Sequence, residues 1–162
     1  MTFRLDPRLA ADTSTVLDLP LCRLLMMRAV DHPWLILVPR QPDLVEILDL
    51  SEHDRRWLFD EIARVAEVLR AETAADKLNV GALGNVVAQL HVHVIARFRD
   101  DPAWPHPVWG RPAVRPRGLA DDEALAAGKG VVQLDGKMIE NLHVANAQRA
   151  IAIAEAIAAL NA

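Results

Sequence analysis

This 162-residue chain contains one cysteine, Cys22, and no tyrosine. A single cysteine excludes an internal disulfide framework and a cysteine-rich zinc site. Its apolar neighbours indicate a small core residue rather than a nucleophile. No apolar run approaches the roughly 18 residues of a membrane span, and no basic segment followed by an apolar stretch opens the chain. We therefore expect a cytoplasmic protein with no membrane partner.

The chain also lacks an excess of positive charge. It has 18 Lys and Arg against 22 Asp and Glu, a net charge of −4. Because proteins that bind nucleic acids neutralise many phosphates with basic side chains, no nucleic-acid partner is expected. A nucleotide needs only one local anion site and remains possible. Without tyrosine, an aromatic contact to a base must come from Trp or Phe.

Hydrophobic periodicity predicts an α+β fold, with an antiparallel sheet and a long helix packed on one face. The expected strands are 21–30, 34–38, 77–82 and 89–97, and the helix runs from an N-cap at Ser51 to about Ala74. The first two strands form a hairpin across a turn at 31–33. Residues 1–18 are interpreted as a turn-rich lead-in.

The predicted helix has one apolar stripe and one charged side. Its stripe consists of Leu58, Ile62, Val65 and Leu69. Its other side carries Arg55, Arg56, Asp60, Glu61, Arg64 and Glu67, which we expect to be solvated.

Residues 89–97 form the most informative strand. Side chains alternate across a strand, so Leu90, Val92, Val94, Ala96 and Phe98 make one apolar face. Gln89, His91, His93 and Arg97 point the other way. The Cα atoms of the two histidines are about 6–7 Å apart along the strand. Their imidazoles therefore bring titratable nitrogens together on this face. We expect a functional site here, with Arg97 a solvent-facing charge at the strand end rather than a phosphate contact.

The segment 84–95, Gly-Asn-Val-Val-Ala-Gln-Leu-His-Val-His-Val-Ile, resembles the signature of the histidine triad (HIT) superfamily, with Gln89 in place of the first triad histidine. Asn79, twelve residues before His91, and the apolar run 34–42 extend the likeness to roughly residues 20–100. The resemblance implies a HIT-like domain over 1–120. The remainder, 121–162, would be a helical extension packed on that domain.

The resemblance implies nucleophilic catalysis at the α-phosphorus of a nucleotide. Members of the family form a nucleotidyl-histidine intermediate on the residue matching His91, which water then hydrolyses. The backbone carbonyl of Gln89 would orient the imidazole, and His93 would hydrogen-bond the phosphate or leaving group. The catalytic set is then His91, His93 and Gln89. No cofactor is required, no protein metal site is implied, and Mg²⁺ enters only as a counter-ion of the substrate.

The likeness also suggests substrate-binding residues and a homodimer. Asn79 and Asn85 would offer amide groups to phosphate or sugar oxygens. Backbone groups of Gly84, Val86 and Val87 would contribute as well, although relatives often carry Ser or Thr at the place of Val86. The partner would be a nucleoside phosphoramidate or a dinucleoside polyphosphate.

Two other interpretations stay open. Gln89 and Val86 are compatible with a protein that binds or senses a nucleotide with little turnover. Alternatively, His91 and His93 could ligate Zn²⁺ with His106 or Asp100 as a third ligand. The remaining histidines are weaker signals. His32 is expected to be a surface or hairpin residue, His53 to lie in solvent, and His106 to help pack the Pro- and Trp-rich segment 98–120, while His143 has no evident partner.

Overall fold

The computed structural model describes residues 2–28, 32–110, 133–134, 137–138, 152, 155–157 and 159. The helices are α1 (Pro7–Asp12), a short 3-10 helix (Ile47–Asp49) and α2 (Glu52–Thr73). The main strands are β1 (Thr13–Asp18), β2 (Cys22–Met27), β3 (Trp34–Pro39), β4 (Lys77–Gly81) and β5 (Val92–Arg97). A small separate pair consists of β6 (Gln133–Leu134) and β7 (Lys137–Met138).

Five strands form one antiparallel sheet in the order β1-β2-β3-β5-β4. The sheet and the long helix confirm the α+β prediction. The predicted hairpin of β2 and β3 is present, while residues 29–31 of its connection lie outside the described residues. Strand β5 sits between β3 and β4, so the strand that carries the histidines has a neighbour on each side.

Helix α2 covers one face of the sheet, as the apolar stripe predicts. The Ser51 hydroxyl accepts a hydrogen bond from the Asp54 N–H at 3.0 Å and caps the helix. Ala74 ends it in a left-handed conformation with φ of 51°. The stripe residues pack with β2, β3 and β5 in the principal core, which includes the fully buried Cys22. Burial raises the pKa of the Cys22 thiol, and this agrees with a core residue rather than a nucleophile.

Glu61 departs from the expected solvated side of α2. It is only 2% exposed, and its carboxylate accepts hydrogen bonds from the backbone N–H of Leu21 at 2.7 Å and of Cys22 at 3.0 Å. Buried N–H groups need acceptors, and the carboxylate supplies two at the start of β2. The expectation was wrong because these partners lie about forty residues earlier in the chain.

The lead-in predicted for residues 1–18 is also wrong, since it contains α1 and β1. The Asp6 carboxylate accepts from the Arg8 N–H at 2.8 Å and caps α1, which has Pro7 at its first position. Both elements are six residues long, too short for a clear periodicity.

The face of the sheet opposite α2 carries a second apolar cluster. Leu9, Leu25, Ile36 and Val38 are its buried members, and Phe3, Leu5, Met27, Trp34 and Val87 pack against them. Near the other end of the chain, Ile157 is 1% exposed and belongs to the principal core. The predicted boundary at 120 lies outside the described residues. Among the described helices, none has the length and apolar character that crossing a membrane requires.

Candidate active site

Strand register places the two histidines on the face opposite α2. His93 pairs with Ile36 of β3 and with Gly81 of β4, and His91 immediately precedes β5. The alternate residues Leu90, Val92, Val94 and Ala96 belong to the principal core, as predicted. Strand β5 begins at Val92 rather than at residue 89. The rings of His91 and His93 lie with centroids 4.9 Å apart at 83°, which brings them into one site.

The tautomer of the His91 ring follows from the hydrogen-bond partner of its Nδ1. Its Nδ1 lies 2.6 Å from the backbone carbonyl oxygen of Gln89. Because a carbonyl only accepts, the Nδ1 of His91 must carry the proton and donate it. In the neutral ring, Nε2 then holds the lone pair. The contact expected from the sequence is present, and it gives His91 the tautomer that a nucleophile needs.

His93 has the opposite tautomer. Trp34 donates its indole Nε1–H to the Nδ1 of His93 at 2.9 Å. An indole N–H only donates, so the Nδ1 of His93 accepts and its Nε2 carries the proton. Burial, with a smaller contribution from the neighbouring His91, lowers the pKa of His93 from 6.5 to about 4. His93 is therefore a neutral hydrogen-bond donor at pH 7.

Two tryptophans pack around His93, and the sequence prediction did not include them in the site. The ring centroids of Trp34 and Trp109 lie 5.4 and 6.0 Å from that of His93. A Cβ on Gly81 would lie 3.2 Å from the Trp109 ring, so glycine at this position allows the close approach. The alternation of side chains along β3 and β5, together with the pairing of these strands, could have identified Trp34. It lies on the same face of the sheet as His93.

Arg97 is neither a solvent-facing charge nor free to bind phosphate. It is 2% exposed and donates to the Asp101 carboxylate at 2.6 Å, the Asn79 side-chain oxygen at 2.8 Å and the His106 carbonyl at 2.9 Å. Register puts Asn79 on the histidine side of the sheet. Its oxygen, however, is occupied by Arg97. The guanidinium thus organises the segment that follows β5 and carries Trp109.

The turn before β5 holds the other predicted substrate-binding residues. Gly84 adopts φ of 71°, which glycine permits without strain. Asn85 is exposed and Val86 is 77% exposed, whereas Val87 packs into the second apolar cluster. The turn therefore presents polar backbone and the Asn85 side chain to solvent close in sequence to His91.

The side chain of Gln89 points to the beginning of the chain rather than to His91. Its Oε1 accepts from the Asp6 N–H and its Nε2 donates to the Arg4 carbonyl, both at 2.8 Å. Only its backbone carbonyl touches the His91 ring. The residue was predicted as catalytic through its position in the triad. Its side-chain contacts lie with the N-terminal segment.

The remaining histidines differ in burial. His32 lies in the β2–β3 hairpin, one of the two places expected for it, and its side chain is 9% exposed with the Nδ1 3.9 Å from the Asp101 carboxylate. The His53 and His106 side chains are exposed. Within the described part of the chain, no three His, Cys, Asp or Glu side chains are placed to hold a metal ion. His143 lies outside the described residues.

An antiparallel sheet backed by one long helix, with two buried histidines on the opposite face, defines the class of the protein. The HIT domain model matches residues 8–100. The chain belongs to the HIT family, a superfamily of nucleotide-binding proteins and hydrolases.

Solved structures of histidine triad proteins share this architecture. Those from Sinorhizobium meliloti and Bradyrhizobium japonicum are 45% and 46% identical to this chain, each with a TM-score of 0.71. One from Marinobacter aquaeolei is 40% identical with a TM-score of 0.73. The alignments cover 77%, 78% and 78% of this chain and 93% of each of those chains.

A short match joins the chain to a different class of protein. The (3S)-malyl-CoA thioesterase of Cereibacter sphaeroides is 51% identical over 43 residues. That match covers 26% of this chain but only 15% of the thioesterase. The chain therefore spans a small part of this curated relative, and the match carries no activity across.

Proposed function

We propose that the protein is a nucleotide hydrolase or transferase that cleaves at the α-phosphate of a nucleoside phosphoramidate or dinucleoside polyphosphate. The observation that carries the proposal is the hydrogen bond from the Nδ1 of His91 to the Gln89 carbonyl. It leaves the Nε2 lone pair of His91 available for attack. Replacement of the first triad histidine does not remove this contact, because the acceptor is a backbone atom.

The first step forms a bond between the Nε2 of His91 and the α-phosphorus, and it breaks the bond from that phosphorus to the leaving group. The departing oxygen or nitrogen takes the electron pair and acquires a proton from solvent. Water, or another acceptor in a transferase, then attacks the nucleotidyl-histidine. The P–N bond breaks, a nucleoside monophosphate or its ester leaves, and His91 is restored.

His93 contributes as a neutral donor. Its Nε2–H is available for an oxygen of the phosphate or leaving group, since Trp34 occupies the Nδ1. A fixed donor that faces an oxygen on which negative charge develops stabilises the transition state by about 3 kcal/mol in comparable sites. Its low pKa keeps the ring neutral, so His93 stabilises charge through a hydrogen bond and not through a full positive charge.

Backbone N–H groups of Gly84, Val86 and Val87 and the Asn85 amide would bind the phosphate oxygens. Asn79 has a narrower role in this proposal than the sequence suggested, because its oxygen accepts from Arg97. Only the side-chain nitrogen of Asn79 would donate a hydrogen bond to the substrate. No protein-bound cofactor is required, and Mg²⁺ would accompany the substrate as a counter-ion.

A second candidate is a protein that binds or senses a nucleotide with little turnover. It is favoured by one observation: the Gln89 side chain is committed to Arg4 and Asp6, so no third polar side chain from the triad faces the substrate. In this case calorimetry would detect a bound nucleotide without product.

The assembly and location are proposed as well. We propose a homodimer. The proposal is supported by the position of β4 at the edge of the sheet and by the exposure of Val80, within β4, and of Leu83, shortly after it. Burial of Ile157 supports an extension over 121–162 that packs on the HIT domain. A cytoplasmic location without nucleic-acid or membrane partners is compatible with the net charge of −4.

The test measures release of nucleoside monophosphate from a panel of phosphoramidates and dinucleoside polyphosphates. His91→Ala should lower release by about three orders of magnitude or more, since nucleophile removal in other enzymes has effects of that size. His53→Ala removes an exposed histidine of α2 and is the matched control. Unchanged release from the His91→Ala protein would refute the proposal.

A further inference from the structure

The Gln89 side chain joins the beginning of the chain to the segment that precedes β5. The Gln89 amide accepts from the Asp6 N–H and donates to the Arg4 carbonyl, across sequence separations of 83 and 85 residues. The two backbone groups flank Leu5, so the one carboxamide holds the backbone on both sides of that residue.

An imidazole at position 89 would not replace this contact. The neutral ring has one donor and one acceptor, but its two nitrogens diverge from each other. The carboxamide presents its oxygen and nitrogen at one planar end, which suits the neighbouring Asp6 N–H and Arg4 carbonyl. Gln89 is therefore suited to a task that the histidine of the usual triad does not perform.

The fastening continues from Gln89 back to the turn before β5. Asp6 donates its N–H to Gln89 and accepts the Arg8 N–H with its carboxylate. The Arg8 guanidinium in turn donates to the Val86 carbonyl at 3.2 Å. Three hydrogen bonds link Gln89 to Asp6, Asp6 to Arg8 and Arg8 to Val86, and we call these four residues the N-terminal clamp. Leu5 and Val87 pack in the second apolar cluster beneath it.

The clamp brings a permanent positive charge to the turn that we propose binds phosphate. A guanidinium has five N–H donors and stays charged at all working pH values. One donor of Arg8 is used on Val86, and the residue is exposed. The HIT domain match begins at residue 8, so Arg4 and Asp6 lie before it.

We propose that Gln89 is a positioning residue whose clamp holds Arg8 at the turn 84–87, where its guanidinium selects nucleotides with further phosphates beyond the one attacked. The inference rests on the proposed function and names its substrate class. A dinucleoside polyphosphate supplies anionic oxygens for Arg8. A phosphoramidate with a neutral amine leaving group has no phosphate to offer there.

The experiment compares kcat and KM on one dinucleoside polyphosphate and one phosphoramidate of the same nucleoside. Arg8→Gln and Gln89→Leu should each raise KM for the polyphosphate by about fivefold, the size expected for one exposed charge contact. For Arg8→Gln, kcat and both constants for the phosphoramidate should stay within twofold of wild type by the same estimate. Arg64→Gln removes an exposed arginine of α2 and is the control.

Hydrogen exchange tests the clamp independently of catalysis. The Asp6 amide should be protected in the wild-type protein and should lose protection in Gln89→Leu. Gln89→His should resemble Gln89→Leu in both assays. If Gln89→His instead raises kcat on both substrates, or Gln89→Leu lowers kcat equally on both, Gln89 acts in the chemistry and the positioning role is wrong.

The outcomes also separate this inference from the proposed function. If the wild-type protein releases nothing from either substrate, the proposed activity fails. Calorimetry with a nucleoside monophosphate and the matching triphosphate then tests Arg8. Tighter binding of the triphosphate that is lost in Arg8→Gln supports the inference, and equal binding of the two nucleotides by the wild-type protein overturns it.

Discussion

Protonation of His93 should make the protein less stable in acid by an amount that can be measured. The pKa of His93 is about 4 in the folded protein, against an ordinary value of 6.5 in the unfolded chain. Between these values the unfolded state binds more protons, so the free energy of unfolding falls as the pH falls. The stabilisation from a neutral His93 is complete above about pH 6.5 and is lost progressively towards pH 4.

The magnitude follows from the interval between the two pKa values. From 6.5 to about 4, at roughly 1.4 kcal/mol for each pKa unit, the loss amounts to about 3 kcal/mol, to order of magnitude. His93 is only 8% exposed, so solvent screening reduces this little. For a domain of ordinary stability, about 5–15 kcal/mol, such a loss is a large fraction.

The assay is urea unfolding between about pH 7 and about pH 4.5, with wild type and His93→Gln compared at each pH. Carboxylates with lowered pKa, such as Asp18 and Asp101, also cost stability in acid, but they do so in both proteins. The difference between the two proteins isolates His93, and His53→Gln controls for the loss of a histidine. Parallel pH profiles, or an NMR titration of the His93 ring with a midpoint near 6, would refute the reasoning.

Two further predictions concern the partners of this ring. Trp34→Phe removes the donor to the Nδ1 of His93, so ¹⁵N chemical shifts of the ring should show a mixture of tautomers, and an unchanged single tautomer would contradict the assignment. Arg97→Met leaves the Asp101 carboxylate buried without its guanidinium, which should lower the free energy of unfolding by about 3 kcal/mol. Arg99→Met, at an exposed neighbour, is the control for this measurement, and equal effects of the two substitutions would show that the buried ion pair does not stabilise the fold.

Local periodicity was sufficient for the parts of the fold whose partners are close in sequence. The alternation in residues 90–97 assigned the apolar and histidine faces of β5, and the stripe from Leu58 to Leu69 assigned the buried side of α2. Both patterns depend on the geometry of a single element. The contact of His91 with the Gln89 carbonyl is equally local, two residues apart, and the family resemblance predicts it.

Tertiary contacts of polar side chains account for what the sequence did not show. Glu61 looked like part of a charged helix side because nothing local indicates that Leu21 and Cys22 need an acceptor. Arg97 looked like a strand-end charge because its three acceptors come from a strand and a loop that fold against it. A sequence pattern wrongly predicts that a polar residue is exposed when tertiary partners satisfy the hydrogen bonds of its buried side chain.

The two histidines of the site show how such partners can create different chemistry from the same side chain. His91 and His93 lie two residues apart on one face, and the family resemblance implies a nucleophile at His91 and a hydrogen-bond donor at His93. A carbonyl beside His91 accepts and an indole beside His93 donates, so the two rings hold their protons on opposite nitrogens. Each ring therefore has a different group at Nε2, a lone pair in His91 and a proton in His93. The proposed mechanism requires that difference, and Trp34 fixes the tautomer of His93 from 59 residues away in the sequence.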